Sequence, residues 1–380
     1  MTWPSAITLL APLAPWFDRV RRDLPWRTGD LDAPHPDPYA VLVSELMLQQ
    51  TQVATVIPYF TRWMAQFPTA GSLEEADDDA VHKAWEGLGY YRRARYLKAA
   101  ASCIAAEGWP GDLEGLASLP GLGPYTAAAV GSIAFQWPVP ALDGNAFRVL
   151  ARLLLVEGDP KAQAGDLRAW LTPALAAHGP SRLTQALMEL GATVCAPAPA
   201  CGSCPLADGC GARLAGRTAE IPPVVKRVKP KTATLWLVAL EADGHVLLHP
   251  PVAKGLLAGL WRWPALEAEA IPAAGVASAA SAPIAWPGWT QVYTHRREAV
   301  SPLYLRLEAR FEAAKGLRWV PVGDLPRLPL GKRDQRLRDL LAVPGQAPLE
   351  APDSALLIQN LSKAWEGTPC RSCAPMAPPA

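Results

Sequence analysis

This chain has almost no excess charge. Its 36 Lys and Arg stand against 35 Asp and Glu, leaving a formal charge of +1. Bulk electrostatics therefore announces no nucleic-acid partner, and any basic surface has to be local. Long apolar runs are missing too. No stretch approaches the roughly 18 uninterrupted apolar residues of a membrane helix, so the sequence predicts no span. The start, Met1-Thr2-Trp3-Pro4, has no basic leader, and Pro4, Pro12 and Pro15 break the apolar run, which argues against a signal peptide. Cysteine is sparse, seven in 380 residues, and the expectation is a cytoplasmic chain using thiolates or a metal rather than a disulfide framework. No internal repeat is visible.

What is present is a globular composition, 50% hydrophobic, over a length that suits two or three domains. Apolar spacing and composition predict helices over 41–53, 94–106, 125–134, 146–155 and 182–194, with Gly, Pro and Asp/Ser clusters between them. Strand signals are scarce before residue 215. The character then changes. Residues 216–231 are Pro-rich and basic, with Lys226, Arg227, Lys229 and Lys231, and read as an extended linker. Beyond it, 232–240 and 246–248 read as strands around the hairpin signal Ala242-Asp243-Gly244-His245, followed by strands over 289–294, 303–307 and 317–320. The expected architecture is an all-α domain over 1–215, a linker over 216–231, an α+β domain over 232–342 and an Ala/Pro-rich, disordered tail over 343–380. Cys370 and Cys373 in that tail cannot close a tetrahedral site alone.

Three constellations carry chemistry. The first is Leu119-Pro120-Gly121-Leu122-Gly123-Pro124, ahead of the Ala-rich stretch that starts at Tyr125. Gly121 and Gly123 permit a turn with positive φ, and peptide N–H groups at a helix start attract a phosphate. An ordinary helix–helix connection has the same look. The second is a pair of acids. Glu45 sits among Val41, Leu42, Val43, Leu46, Met47 and Leu48, where desolvation would keep it protonated near neutral pH. Asp143 follows Gly123 by 20 residues, at a position that also suits a helix N-cap. The third is Cys195, Cys201, Cys204 and Cys210, spaced Cys-x5-Cys-x2-Cys-x5-Cys. Four thiolates in so short a segment signal a metal, and zinc or an iron–sulfur cluster would accept them. Arg92, Arg93, Arg95 and Lys98 beside Tyr90 and Tyr91 add cations next to aromatics, a combination suited to nucleic acid.

These motifs resemble the helix-hairpin-helix DNA glycosylase superfamily, which includes endonuclease III. Within it, Ser44-Glu45-Leu46-Met47-Leu48-Gln49-Gln50, Gly87-Leu88-Gly89-Tyr90-Tyr91-Arg92-Arg93 and Leu142-Asp143-Gly144-Asn145 are similar to the MutY-type adenine glycosylases. The likeness is close over roughly 16–211 and looser beyond. It implies a monomeric enzyme of base excision repair that removes adenine mispaired with 8-oxoguanine or guanine from double-stranded DNA. Glu45 would protonate adenine at N7 and later activate water, while Asp143 would steady the cationic sugar. Gln49 and Tyr90 would occupy the vacated base stack, and Arg27 and Glu189 would join Asn145 around the pocket. The cysteines would hold a [4Fe–4S] cluster, although the first gap here is five residues where that family has six. Tyr125 stands where endonuclease III-like lyases carry a nucleophilic lysine, so the resemblance implies a monofunctional enzyme. Gly255 to Pro264 and Tyr293-Thr294-His295 resemble a Nudix-like C-terminal domain that reads 8-oxoguanine, with His295 near the lesion. The dense Glu run of a Nudix hydrolase is absent. The alternatives are a pyrimidine-lesion glycosylase/lyase and a catalytically inactive DNA-binding scaffold.

Overall fold

A computed structural model describes residues 3–223, 230–253, 255, 257–267, 284–293, 296–310, 312–313 and 316–342. The chain folds as two compact units, Met1–Ala76 with Arg95–Lys226, and Asp77–Ala94 with Arg227–Ala380. Among the described residues no helix is long and apolar enough to cross a membrane. The basic residues 226, 227 and 229 of the expected linker and the whole expected tail, 343–380, lie outside the described residues.

The first unit is helical. Pro38–Leu48 begins where Asp37 accepts the Ala40 amide at 3.1 Å and Pro38 sets the first turn. Every residue from Tyr39 to Met47 is buried. A helix apolar on all sides is a core helix, and here it carries Glu45 into the interior. The single helix expected over 41–53 is in fact two, Pro38–Leu48 and Val53–Gln66. The break falls at Gln50, which turns into the left-handed region at φ +56, next to Gln49, whose amide is tied to Thr126 Oγ1 at 3.0 Å. Helices Pro124–Phe135, Gly144–Leu153, Ala164–His178 and Pro180–Thr193 complete the frame. Leu10, Leu13 and Phe17 from the N-terminal helices pack with Leu150, Leu171, Leu183 and Leu187 in one fully buried core.

The second unit is built on a mixed sheet of seven strands among the described residues: β1 (Lys231–Ala242), β2 (His245–Leu248), β3 (Ala265–Glu267), β4 (Ile284–Ala285), β5 (Trp289–Val292), β6 (Arg296–Arg306) and β7 (Arg318–Pro321). The order β4-β6-β1-β2-β7 has β3 paired to β1 and β5 to β6. Only β1 and β6 run parallel, in register from Lys231↔Arg296 to Glu241↔Arg306. The expected hairpin forms, with Asp243 at φ +50 and Gly244 at φ +69 as the primed turn requires. Alternation along β1 sends Leu235, Leu237 and Ala239 to one core and Val238 and Leu240 to the other. Helix Lys332–Leu341 covers the first of these through Leu337. β6 starts earlier than the strand expected over 303–307, because its charged beginning is paired internally. Glu298, fully buried, receives Arg296 at 2.9 Å and Arg333 at 3.4 Å.

One segment departs from the expected helical domain of 1–215. Asp77–Ala94 packs with the second unit, where Glu86 Oε1 accepts the Leu330 amide at 2.9 Å and the Tyr91 hydroxyl donates to the Leu330 carbonyl at 3.4 Å. Composition marks no boundary at either end of it, since such long-range pairing leaves no local trace.

Candidate active site

Glu45 lies on the buried helix Pro38–Leu48 with only 6% of its surface exposed. The Tyr125 hydroxyl, from the first turn of Pro124–Phe135, donates to its Oε2 at 3.0 Å. Burial pushes the Glu45 carboxyl up to about 7, and the negative charge of Asp143 pushes the same way. The Tyr125 hydrogen bond and the Arg27 charge work against that rise. Tyr125 itself is held well above its usual range, first by burial and then by the fields of both Glu45 and Asp143. The structure thus brings the two acids and the phenol together.

Asp143 is the N-cap of Gly144–Leu153, its Oδ1 accepting the Ala146 amide at 2.6 Å. The cap and the candidate catalytic role coincide, because capping fixes the carboxylate rigidly. Burial raises its pKa, opposed by the Ala146 and Asn145 amides, the Arg148 charge and the Asn145 side chain. Asn145 Oδ1 in turn accepts from Arg148 Nη2 at 2.8 Å. Arg148 also donates to the carbonyls of Gly191, at 2.7 Å, and Cys195, at 2.8 Å. Gly191 is where the two helices touch: a Cβ there would lie 2.7 Å from the Asn145 Cβ.

Arg27 and Glu189 form an ion pair at 2.8 Å, both deeply buried. Arg22 adds a second cation to Glu189 at 2.6 Å. Burial alone would raise the Glu189 carboxyl, but the Arg22 hydrogen bond and the Arg27 and Arg22 charges outweigh it and bring it below its usual value. Arg27 lies over the Phe17 ring at 5.3 Å and is anchored to the Arg22 carbonyl at 3.2 Å.

The hairpin joins Leu113–Ser118 to Pro124–Phe135. Its two glycines do different things. Gly121 has φ +79, and a Cβ there would run into the Tyr96 side chain. Gly123 does not need the positive φ expected for it: at φ −73 and ψ 173 it is the extended N-cap of the second helix, with open space where a Cβ would be. It leaves backbone accessible at the helix start, and only Gly121 makes the turn.

The four cysteines line one small cavity with Arg152, Arg213 and Thr218. None is in a disulfide. The five-residue first gap is closed by the Ala200 amide bonding to the Val194 carbonyl at 2.9 Å, which returns the chain toward Cys195. Buried Arg152 braces the loop from beneath, donating to the carbonyls of Ala196, Pro197 and Ile221 and reaching Cys195 Sγ at 3.5 Å. Burial pushes the Cys204 and Cys210 thiols up.

Residues 43–172 match the family model described as HhH-GPD superfamily base excision DNA repair protein. The adenine DNA glycosylase of Mycolicibacterium smegmatis is 42% identical over 229 residues, which are 58% of this chain and 74% of that protein. The chain belongs to the adenine DNA glycosylase family. The Arabidopsis thaliana member is 37% identical over 293 residues, covering 67% of this chain and 46% of its own length. The Homo sapiens member is 38% identical over 315 residues, covering 68% of this chain and 57% of its own. The chain therefore spans about half the length of these two relatives.

The family match covers Glu45, Gln49, Tyr90, the hairpin, Tyr125, Asp143 and Asn145. Tyr90 belongs to the second unit, where it is 43% exposed and stands at φ +48. His295 lies outside the described residues. Sequence reasoning missed Arg22, Arg148, Arg152 and Gly191. Each acts through a partner distant in the chain, and only the small residue at position 191, inside an otherwise good helix window, is a visible signal.

Proposed function

We propose that this chain is a monofunctional adenine DNA glycosylase acting on adenine opposite 8-oxoguanine or guanine in base excision repair. The observation that carries the reading is Glu45, a buried carboxyl pushed up to about 7 beside the Asp143 carboxylate. Adenine is a poor leaving group until protonated, and the sugar it leaves develops oxocarbenium charge. Two carboxyl groups in unlike surroundings divide this work, as in glycoside hydrolysis. Glu45 gives its proton to adenine N7 as the N9–C1′ bond breaks, and the bonding pair leaves with the base. Asp143, held by backbone amides and facing Arg148, keeps its charge against the cationic ring. Water then adds to C1′ and returns a proton to Glu45. Adenine must leave the helix stack first. Gln49, fixed to Thr126, suits the emptied space, while the Arg27–Glu189 pair and Asn145 brace the pocket; exposed Tyr90, on the second unit, suits stacking on a base.

Tyr125 supports hydrolysis without strand cleavage: a phenol bonded to Glu45 cannot form the imine that a lyase needs. The cysteine loop fits a [4Fe–4S] cluster held by Cys195, Cys201, Cys204 and Cys210. All four line one cavity, yet among the described residues no three His, Cys, Asp or Glu side chains are placed to hold a single ion. Four thiolates would also accept zinc, and it is the likeness to the iron–sulfur glycosylases that favours the cluster. Bound there, the cluster would supply structural order to the loop. The sheet unit, proposed as Nudix-like, would read the base opposite adenine through residues 293–295. A monomer acting on duplex DNA completes the reading.

The experiment is excision from duplexes carrying adenine opposite 8-oxoguanine, guanine and thymine, with borohydride trapping in parallel. Release of adenine from the first two without a trapped adduct is the expected result. Efficient trapping through one lysine would replace this reading with a lyase.

A further inference from the structure

Tyr90 is a bulky side chain in a backbone region that suits glycine, at φ +48, and it is exposed on the surface of its unit. Such strain persists only where the surroundings over-determine it. Here they do. The Gly89 carbonyl, immediately before it, accepts from both Trp85 Nε1 and Arg93 Nη2 at 3.1 Å. The Arg93 guanidinium lies over the Trp85 and Tyr90 rings, 5.3 and 5.4 Å from their centroids. The next residue closes the turn: the Tyr91 hydroxyl accepts the Gly87 amide at 3.1 Å.

That turn is bolted to a distant strip of chain. The Tyr91 hydroxyl donates onward to the Leu330 carbonyl at 3.4 Å, 239 residues away in sequence. The Leu330 amide donates to Glu86 Oε1 at 2.9 Å. Both backbone groups of one residue are thus gripped by the two flanks of the Tyr90 turn. Leu330 is itself fully buried and bridged to Trp261.

We propose that Glu86 and Tyr91 are positioning residues which, through Leu330, lock Tyr90 for stacking against an unstacked base of bound DNA. The inference rests on the DNA-glycosylase reading above. It makes the stacking plate a product of the C-terminal polypeptide as well as of its own turn. An aromatic plate works only if its orientation is prepaid, since side-chain ordering on binding subtracts from affinity.

The test is a double-variant cycle in the full-length protein. The probe is an adenine:8-oxoguanine duplex whose adenine nucleotide carries a 2′-fluorine, so that it binds without being cut, with 2-aminopurine beside the mispair. Tyr90→Ala and Tyr91→Phe should each weaken binding about tenfold and lose the same share of the 2-aminopurine fluorescence rise. Together they should be no worse than either alone. Glu86→Ala should behave like Tyr91→Phe, and Glu86→Gln, which keeps an acceptor for the Leu330 amide, should recover most of the loss. Additive losses in the double variant, or wild-type binding by Tyr91→Phe, would overturn the proposal. Tyr91→Phe deletes a single oxygen, and circular dichroism checks its fold. Because the readouts are binding and fluorescence, a wild-type protein that binds this duplex but releases no adenine from its unfluorinated counterpart would defeat the glycosylase reading while the cycle still decides the role of Glu86 and Tyr91.

Discussion

The Tyr125 hydroxyl donates a 3.0 Å hydrogen bond to Glu45 Oε2. This bond joins the residue at the position of a lyase lysine to the residue proposed as the general acid, so two sequence signals that stand 80 residues apart meet in space. It also tunes the acid, since it holds the Glu45 carboxyl lower than burial alone would.

Glu45→Gln should leave binding to mispaired DNA intact and lower single-turnover excision by about 10²–10⁴-fold, the usual worth of a positioned general acid. Near-normal turnover by this variant would remove Glu45 from the mechanism.

In the proposed mechanism the acid form of Glu45 is the reactive one, so single-turnover excision should fall as pH rises through about 7. Tyr125→Phe removes the bond that lowers this pKa, and the falling limb should move to higher pH. A limb that stays put in Tyr125→Phe would mean that another group titrates.

The same shift makes a stability prediction. The folded protein holds the Glu45 proton up to about 7, whereas a free carboxyl loses it near 4.5. The folded state therefore binds the extra proton, and stability declines as pH rises from about 4.5 to 7, by on the order of 3 kcal/mol. Glu45→Gln carries no such penalty. Its melting temperature should exceed the wild type's at pH 8, and the gap should close toward pH 4.

The hairpin glycines should separate cleanly. Gly121→Ala puts a Cβ into Tyr96 at an unfavourable φ and should cost stability, whereas Gly123→Ala meets nothing within 4 Å and should melt like the wild type. Gly191→Ala should cost about 1–3 kcal/mol by overpacking against Asn145, and should slow excision by displacing the Asp143 cap. Thermal melts with single-turnover assays check all three.

Arg152→Met should loosen the cysteine loop, because three carbonyls lose their donor at once. We expect the variant to retain less iron per chain by metal analysis and to exchange the amides of 195–210 faster. Unchanged metal content and protection would show that the loop does not need this brace.

Much of the site was legible because its residues are local. The Glu45 helix announces burial through its apolar neighbours, and the Asp143 cap through the sequence Asp-Gly-Asn before a helix. The cysteine spacing already demanded a shared site. The break at Gln50 was hidden, since its left-handed turn comes beside Gln49, which is tethered to Thr126 far along the chain, and propensity records no such tether. Gly123 looked like a turn glycine and is an extended cap.

By itself the sequence determined the helical and sheet halves, the two acids and the thiolate loop, because period, composition and short spacing are properties of a single stretch of chain. Only the tertiary structure decided which side chains meet. It placed Tyr125 on Glu45, two arginines on Glu189, Arg152 under the cysteines and the Tyr90 turn on Leu330. Hydrogen bonds and ion pairs between residues far apart in the chain depend on how helices and strands pack, and no local pattern records that packing.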